Sequence, residues 1–284
     1  MRIAILIFFV FIFHNSFAQQ STILMGEPMN KIDYSTLIQK NKFVKEMIYV
    51  SRKGHRNDDS ALFIVTYFGS KGEILEKDEF GINSLSPRRI TNYEYSNNLL
   101  SRTESTEGYA DSTITDYEYD SLGNKVNSKT YSYYQVGTAD NFSFLEEKYE
   151  YDLNNRVSKL YAKSDTTDFM LLNTYDYEGK YLKEVKSYDV MENWKGSDLY
   201  EYDTLLQKER IYSLFGSDKK IQQEFSFNEN KQLTEFIFFR YSSYDGRHKS
   251  HENFEYYDNG LTYKETVMPE NGEVVYYKHY YFTK

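Results

Sequence analysis

One short pattern recurs along most of this chain and limits what it can fold into: an aromatic residue, an acid, a second aromatic, a polar turn, then a stretch of alternating character. Its plainest copies are Tyr117-Glu118-Tyr119-Asp120 before Gly123-Asn124, and Tyr149-Glu150-Tyr151-Asp152 before Asn154-Asn155. Others start at Tyr93, Tyr175, Tyr200, Phe225 and Phe254, with a weaker copy at Tyr67 and a closing one at Tyr280. The main starts lie 24 to 32 residues apart, the length of one unit of two strands and two loops.

Strand side chains alternate between faces, so both aromatics of a triplet point one way and the acid points the other. The aromatic ladder then consists of Tyr93 and Tyr95, Tyr117 and Tyr119, Tyr149 and Tyr151, Tyr175 and Tyr177, Tyr200 and Tyr202, Phe225 and Phe227, and Phe254 and Tyr256. The middle residue is acidic in six of these seven triplets, Ser226 being the exception, although acids make up only 43 of 284 residues. That bias separates the pattern from chance pairing of aromatics. On the acid face, Lys159, Lys183 and Lys208 of the returning strands are the expected cross-strand partners.

Turn formers follow each triplet (Asn97-Asn98, Gly123-Asn124, Asn154-Asn155, Gly179, Asn228 to Asn230, Asn259-Gly260), except at Asp203-Thr204-Leu205. The other ends of the hairpins are expected to be longer, irregular loops: Glu104 to Ser112, Ser164 to Asp168, Glu192 to Asp198, Gly216 to Lys219 and Tyr244 to Lys249. Lys42 to Ser51 and Ala61 to Tyr67 read as a starting hairpin around Gly54 to Asp59, and residues 19–41 show no clean period. The expected fold is all-β: tandem antiparallel β-hairpins across 42–284, forming one long sheet that curls, up to a barrel-like form, and buries the aromatic face.

Arg2, the apolar run Ile3 to Phe13 and the small-residue stretch ending at Ala18 have the three parts of a secretory signal, so residues 1–18 are expected to be removed, leaving 19–41 as a lead segment. The apolar run is too short to span a bilayer as a helix, and no later segment could. A net charge of −9 without a basic block argues against nucleic acid as a partner. The absence of cysteine excludes disulfides, thiolate metal sites and cysteine nucleophiles.

These units resemble the YD repeat of the RHS family, roughly Tyr-x-Tyr-Asp, two residues, Gly-Arg-Leu. Tyr117 to Val126 and Tyr149 to Val157 match well, Tyr93, Tyr175, Tyr200 and Phe254 in part, and Phe225 poorly. The resemblance implies a long, curled antiparallel sheet. It does not carry toxin encapsulation, because the repeats are few and no Asp-Pro-x-Gly motif occurs at Pro28, Pro87 or Pro269.

His248-x-x-His251 with Glu252 reads as solvated loop residues, since i and i+3 face opposite ways where the loop enters a strand. No metal or cofactor is expected. Trp194, the single tryptophan, lies in the Glu192 to Asp198 loop and is a candidate for contact with a sugar ring or protein partner. The functional expectation is a non-catalytic scaffold or binding module for a glycan or envelope protein, secreted or periplasmic. An outer-membrane β-barrel is the alternative, and a glycoside-active enzyme using paired carboxylates the third reading.

Overall fold

A computed structural model describes residues 34–52, 60–81, 84–108, 111–136, 139–165, 167–189, 193–203, 208–242, 246–269 and 276–284. The expected signal, most of the lead segment and the expected turn at Gly54 to Asp59 lie outside them. One helix, α1 (Tyr34–Asn41), precedes eighteen strands. They are β1 (Lys45–Arg52), β2 (Ala61–Phe68), β3 (Ile74–Phe80), β4 (Pro87–Ser96), β5 (Leu99–Glu107), β6 (Asp111–Tyr119), β7 (Lys125–Val136), β8 (Ala139–Tyr151) and β9 (Val157–Ser164). The second half holds β10 (Met170–Glu178), β11 (Tyr181–Tyr188), β12 (Trp194–Tyr202), β13 (Lys208–Phe215), β14 (Asp218–Phe227), β15 (Leu233–Ser242), β16 (Gly246–Tyr256), β17 (Thr262–Pro269) and β18 (Tyr276–Thr283).

Each strand pairs antiparallel with its sequence neighbours, and β1 also pairs with β18, from Lys45 opposite Thr283 to Arg52 opposite Tyr276. The sheet is therefore a closed meander barrel. Closure removes the two open edges that a curled sheet would leave unpaired.

Three hairpins at the near rim share one construction. Asp120, Asp152 and Asn228 each turn the chain with a side-chain oxygen that accepts from backbone N–H groups two and four residues on. The fourth of the five loop residues is left-handed: Gly123, Asn155 or Lys231 in these, and Gly260 in the β16–β17 hairpin. A bulge then skips one residue of the returning strand, such as Val126 opposite Glu118 and Tyr119, or Ser158 opposite Glu150 and Tyr151. The hairpin lacking a left-handed turn former, after Asp203, has no bulge. Its loop is one residue longer, since Asp203 N–H bonds to the carbonyl of Lys208 whereas Asp120 N–H bonds to Asn124. The two differences cancel, so Glu201 still faces Arg210 as Glu118 faces Asn127, nine residues on.

The far rim differs from expectation. Strands run into segments expected to be loops: β5 reaches Glu107, β12 starts at Trp194, and only Gly216-Ser217 separate β13 from β14. These stretches are polar, but their backbone groups are satisfied in the ladder, so polarity does not end the strand. In the lead segment, α1 has only two turns, too few to display a period. It is held by packing: Ile38 and Leu261 are fully buried together with Phe68, and the helix backbone leaves no room for a Cβ at Gly72. Burying Ile38 and Leu261 contributes about 1.5 to 3 kcal/mol each.

Candidate functional site

Six ladder aromatics are buried: Tyr93, Tyr149, Tyr175, Tyr200, Phe225 and Phe227. Five of them join Val157, Leu160, Leu182, Val185 and Ile211 in one core spanning β8 to β14. A single closed sheet can cover so many large side chains only on its concave face, so the aromatic face lines the lumen. Tyr117 and Phe254 are half-buried, as are Tyr95, Tyr119, Tyr151, Tyr177, Tyr202 and Tyr256 at the near rim. All of the latter except Tyr95 donate their hydroxyl to a backbone carbonyl of the preceding hairpin, for example Tyr177 to Val157 at 2.9 Å and Tyr202 to Leu182 at 3.0 Å. Tyr95 differs: its hydrogen bond with the Ile74 backbone favours the ionised hydroxyl, as one donated by an N–H does.

The triplet acids Glu94, Glu118, Asp176, Glu201 and Glu255 are exposed on the outer wall. Their partners are only partly those expected. Lys159 meets Glu150 at 3.5 Å, but Asp176 pairs with Lys186 and Glu201 with Lys219. Lys183 is the residue skipped by the bulge opposite Asp176 and Tyr177, which removes it from register.

Trp194 is the first residue of β12, opposite Tyr188, and not part of a loop; its side chain lies outside the described residues. His248 and His251 both lie on β16, also not in a loop. They do face opposite ways: His248 is on the lumen side with Glu252, and His251 is on the outer wall, 3.1 Å from Glu235. No group of three or more metal-ligating side chains forms among the described residues.

Beyond the aromatic core, the lumen wall is polar. Thr91 bonds Ser105, Thr113 lies 3.3 Å from Ser132, and Thr115 lies 3.0 Å from Thr130, making a hydroxyl strip across β4 to β7. Next to it, Glu147 accepts from Ser128 and from the Tyr149 hydroxyl at 2.7 Å. Lys125 sits 4.3 Å from the Tyr149 ring, and burial pushes its ammonium below the ordinary lysine value against the pull of Glu147.

A buried charge cluster lies across the closure seam. Glu265 of β17 is buried, takes Lys278 of β18 at 2.6 Å and accepts from the Tyr280 hydroxyl at 2.8 Å. Glu252 of β16 and buried Glu46 of β1 complete the cluster. Burial first, then the neighbouring Glu265, raises the Glu252 carboxyl to about 7, only partly countered by Lys278. Glu252 therefore holds a proton near neutrality and shares a hydrogen bond with Glu265. Such a cluster can accept and donate hydrogen bonds to a polar guest. Sequence reasoning passed over it because Glu46 and Glu265 lie more than two hundred residues apart.

Fold and site together define the class: an all-β, closed meander barrel with an aromatic floor and a polar, partly charged lumen wall. No family profile matches this chain, and no curated protein matches it. Solved structures it is similar to include a porin-like protein from Bacteroides uniformis, at 8% identity and TM-score 0.39, with 85% of this chain and 98% of that one covered. A porin-like protein from Bacteroides vulgatus gives 9% identity and TM-score 0.35, with 84% and 97% covered. The Photorhabdus luminescens Tc holotoxin pore gives 10% identity and TM-score 0.28, with 80% of this chain and 16% of that one covered.

Proposed function

We propose that this chain is an exported, non-catalytic β-barrel of the cell envelope that acts as a binding module. Closure of the eighteen strands supports the barrel alternative better than an open repeat scaffold. One observation supports a reading of how the barrel meets the bilayer: its outer wall carries ion pairs on hairpin after hairpin. Arg102–Asp116, Lys129–Glu118, Lys163–Glu146, Lys186–Asp176, Arg210–Glu224 and Lys264–Glu255 all face away from the lumen. A spanning barrel needs an outward apolar band about 25 Å tall, and an outward Lys or Arg at its midplane costs about 2 to 4 kcal/mol. On this reading the barrel stands in the aqueous envelope, beside the outer membrane and not through it. The Tyr-Glu-Tyr-Asp copies, with their Asp-centred turns, support assigning its units to the YD type.

The spanning reading has an observation of its own. Tyr131, Tyr133, Phe142 and Phe144 cluster on the outer wall with centroids 5.2 to 6.4 Å apart, and Tyr133 and Phe142 are 46% and 49% exposed, as an aromatic girdle would be. Fractionation of cells expressing the full chain separates the two. Release of the signal-cleaved protein by alkaline carbonate, without detergent, is the expected result. Retention in the carbonate-washed membrane, with solubility only in detergent, would establish the spanning barrel instead.

A further inference from the structure

We propose that a pocket on the outer wall, over the β7 to β10 side of the barrel, is a saccharide-binding subsite. The proposal deepens the binding-module reading and rests on it. The pocket is lined by Val126, Asn127, Glu146, Lys148 and Phe169, contributed by three separate stretches of chain. Val126 is the residue skipped by the β6–β7 bulge, and a bulge at this point bends the wall and re-aims its side chains.

Phe169 supplies a ring that is 39% exposed at the pocket, with the Lys163 ammonium 4.8 Å from its centroid. The same ammonium reaches Glu146 at 2.6 Å, so one lysine fixes both the ring and the carboxylate. Asn127 donates through Nδ2 to Glu146 at 3.0 Å and to Glu118 at 3.3 Å, which sets the orientation of its amide. Its Oδ1 is buried and accepts no hydrogen bond from the protein. An acceptor buried in this way is ordinarily satisfied by an ordered water, which can bridge to a ligand hydroxyl at the pocket. Lys148 is exposed beside it as a donor.

An aromatic face next to an ordered amide and carboxylate matches a pyranose, which has an apolar C–H face and a rim of hydroxyls. Lys129 and Lys163 are already engaged by Glu118 and Glu146, which leaves Lys148 as the donor to a ligand hydroxyl. A site of this kind, open on a wall, binds one or two sugar units of a longer chain.

The test uses the full secreted chain with cellohexaose, chitohexaose and maltohexaose as probes, by calorimetric titration and saturation-transfer NMR. At least one hexaose should bind at or below about 10 mM, and Phe169→Ala should weaken it about tenfold or more. Phe169→Tyr, which keeps the ring, should retain binding, and Lys148→Met should weaken it about threefold or more. Circular dichroism confirms the fold of each variant. No binding of any of the three hexaoses at about 10 mM, equal binding by wild type and Phe169→Ala, or loss in a folded Phe169→Tyr each overturns the subsite. Such a failure leaves the location of the barrel untouched, since fractionation reads that separately.

Discussion

The hydroxyl of Tyr151 donates to the backbone carbonyl of Lys125 at 2.7 Å, and Lys125 is the residue that pairs across the strand with Tyr119. Each unit thus grips the backbone of the one before it, at the residue facing the equivalent aromatic. The same link joins Tyr177 to Val157, which faces Tyr151, and Tyr202 to Leu182, which faces Tyr177. Phe227 cannot make it, and is buried instead.

This relationship separates two kinds of ladder position. Tyr151→Phe should cost about 1 to 2 kcal/mol, the loss of one hydrogen bond at a half-buried carbonyl. Tyr149→Ala, which empties a site in the core, should cost about 3 to 5 kcal/mol. Urea unfolding of both variants checks the order; equal effects would mean the hydroxyl links carry as much as the core.

The outer acids should matter far less. Hydrogen bonds from Lys129 and Asn127 hold the Glu118 carboxyl below its ordinary value, but the pair is exposed, so Glu118→Ala should cost under about 1 kcal/mol at pH 7. The sign follows from the depressed value: the contribution is present above the unfolded-state carboxylate range and fades as pH falls through the folded one. Unfolding midpoints of wild type and Glu118→Ala should therefore converge in acid.

Glu252 carries the opposite sign. Its carboxyl is raised to about 7, so between roughly pH 4.5 and 7 the unfolded state loses this proton while the folded state keeps it, and stability falls as pH rises. Glu252→Gln should be as stable as wild type or more so at pH 8, and should flatten the decline across that window. A steeper decline in the variant would show that the carboxyl is not protonated in the folded barrel.

Barrel closure gives a covalent test. Met47 and Tyr281 are opposite each other in the β1–β18 ladder, and the chain has no cysteine, so Met47→Cys combined with Tyr281→Cys creates one possible bridge. Oxidation should give a monomer of altered mobility on a non-reducing gel. Only intermolecular products would indicate an open sheet.

Closure also changes what a deletion does. In an open array, removing residues 149–174 would shorten the sheet and leave it folded. In the barrel it leaves sixteen strands whose stagger must close again, so the loss of stability should exceed that of an open array. Thermal unfolding of this deletion, next to a deletion of half a unit, measures the difference.

The sequence by itself determined everything that is local. The Tyr-Glu-Tyr alternation set which side chains share a face, and Asp120, Asp152 and Gly123 set the near-rim turns, because both depend on neighbours a few residues away. Polar composition misled at the far rim, where Trp194 and the residues after Glu104 are strand, since ladder bonds there depend on the adjacent hairpin. Tertiary structure alone decided the rest. Lys45 opposite Thr283, Ile38 against Leu261, Glu46 near Glu265, and Phe169 beside Asn127 join residues that no short-range pattern relates. They meet because a twisted sheet of eighteen strands buries its aromatic face and pairs its last edges by closing on itself, and closure brings together whatever the two ends of the chain carry.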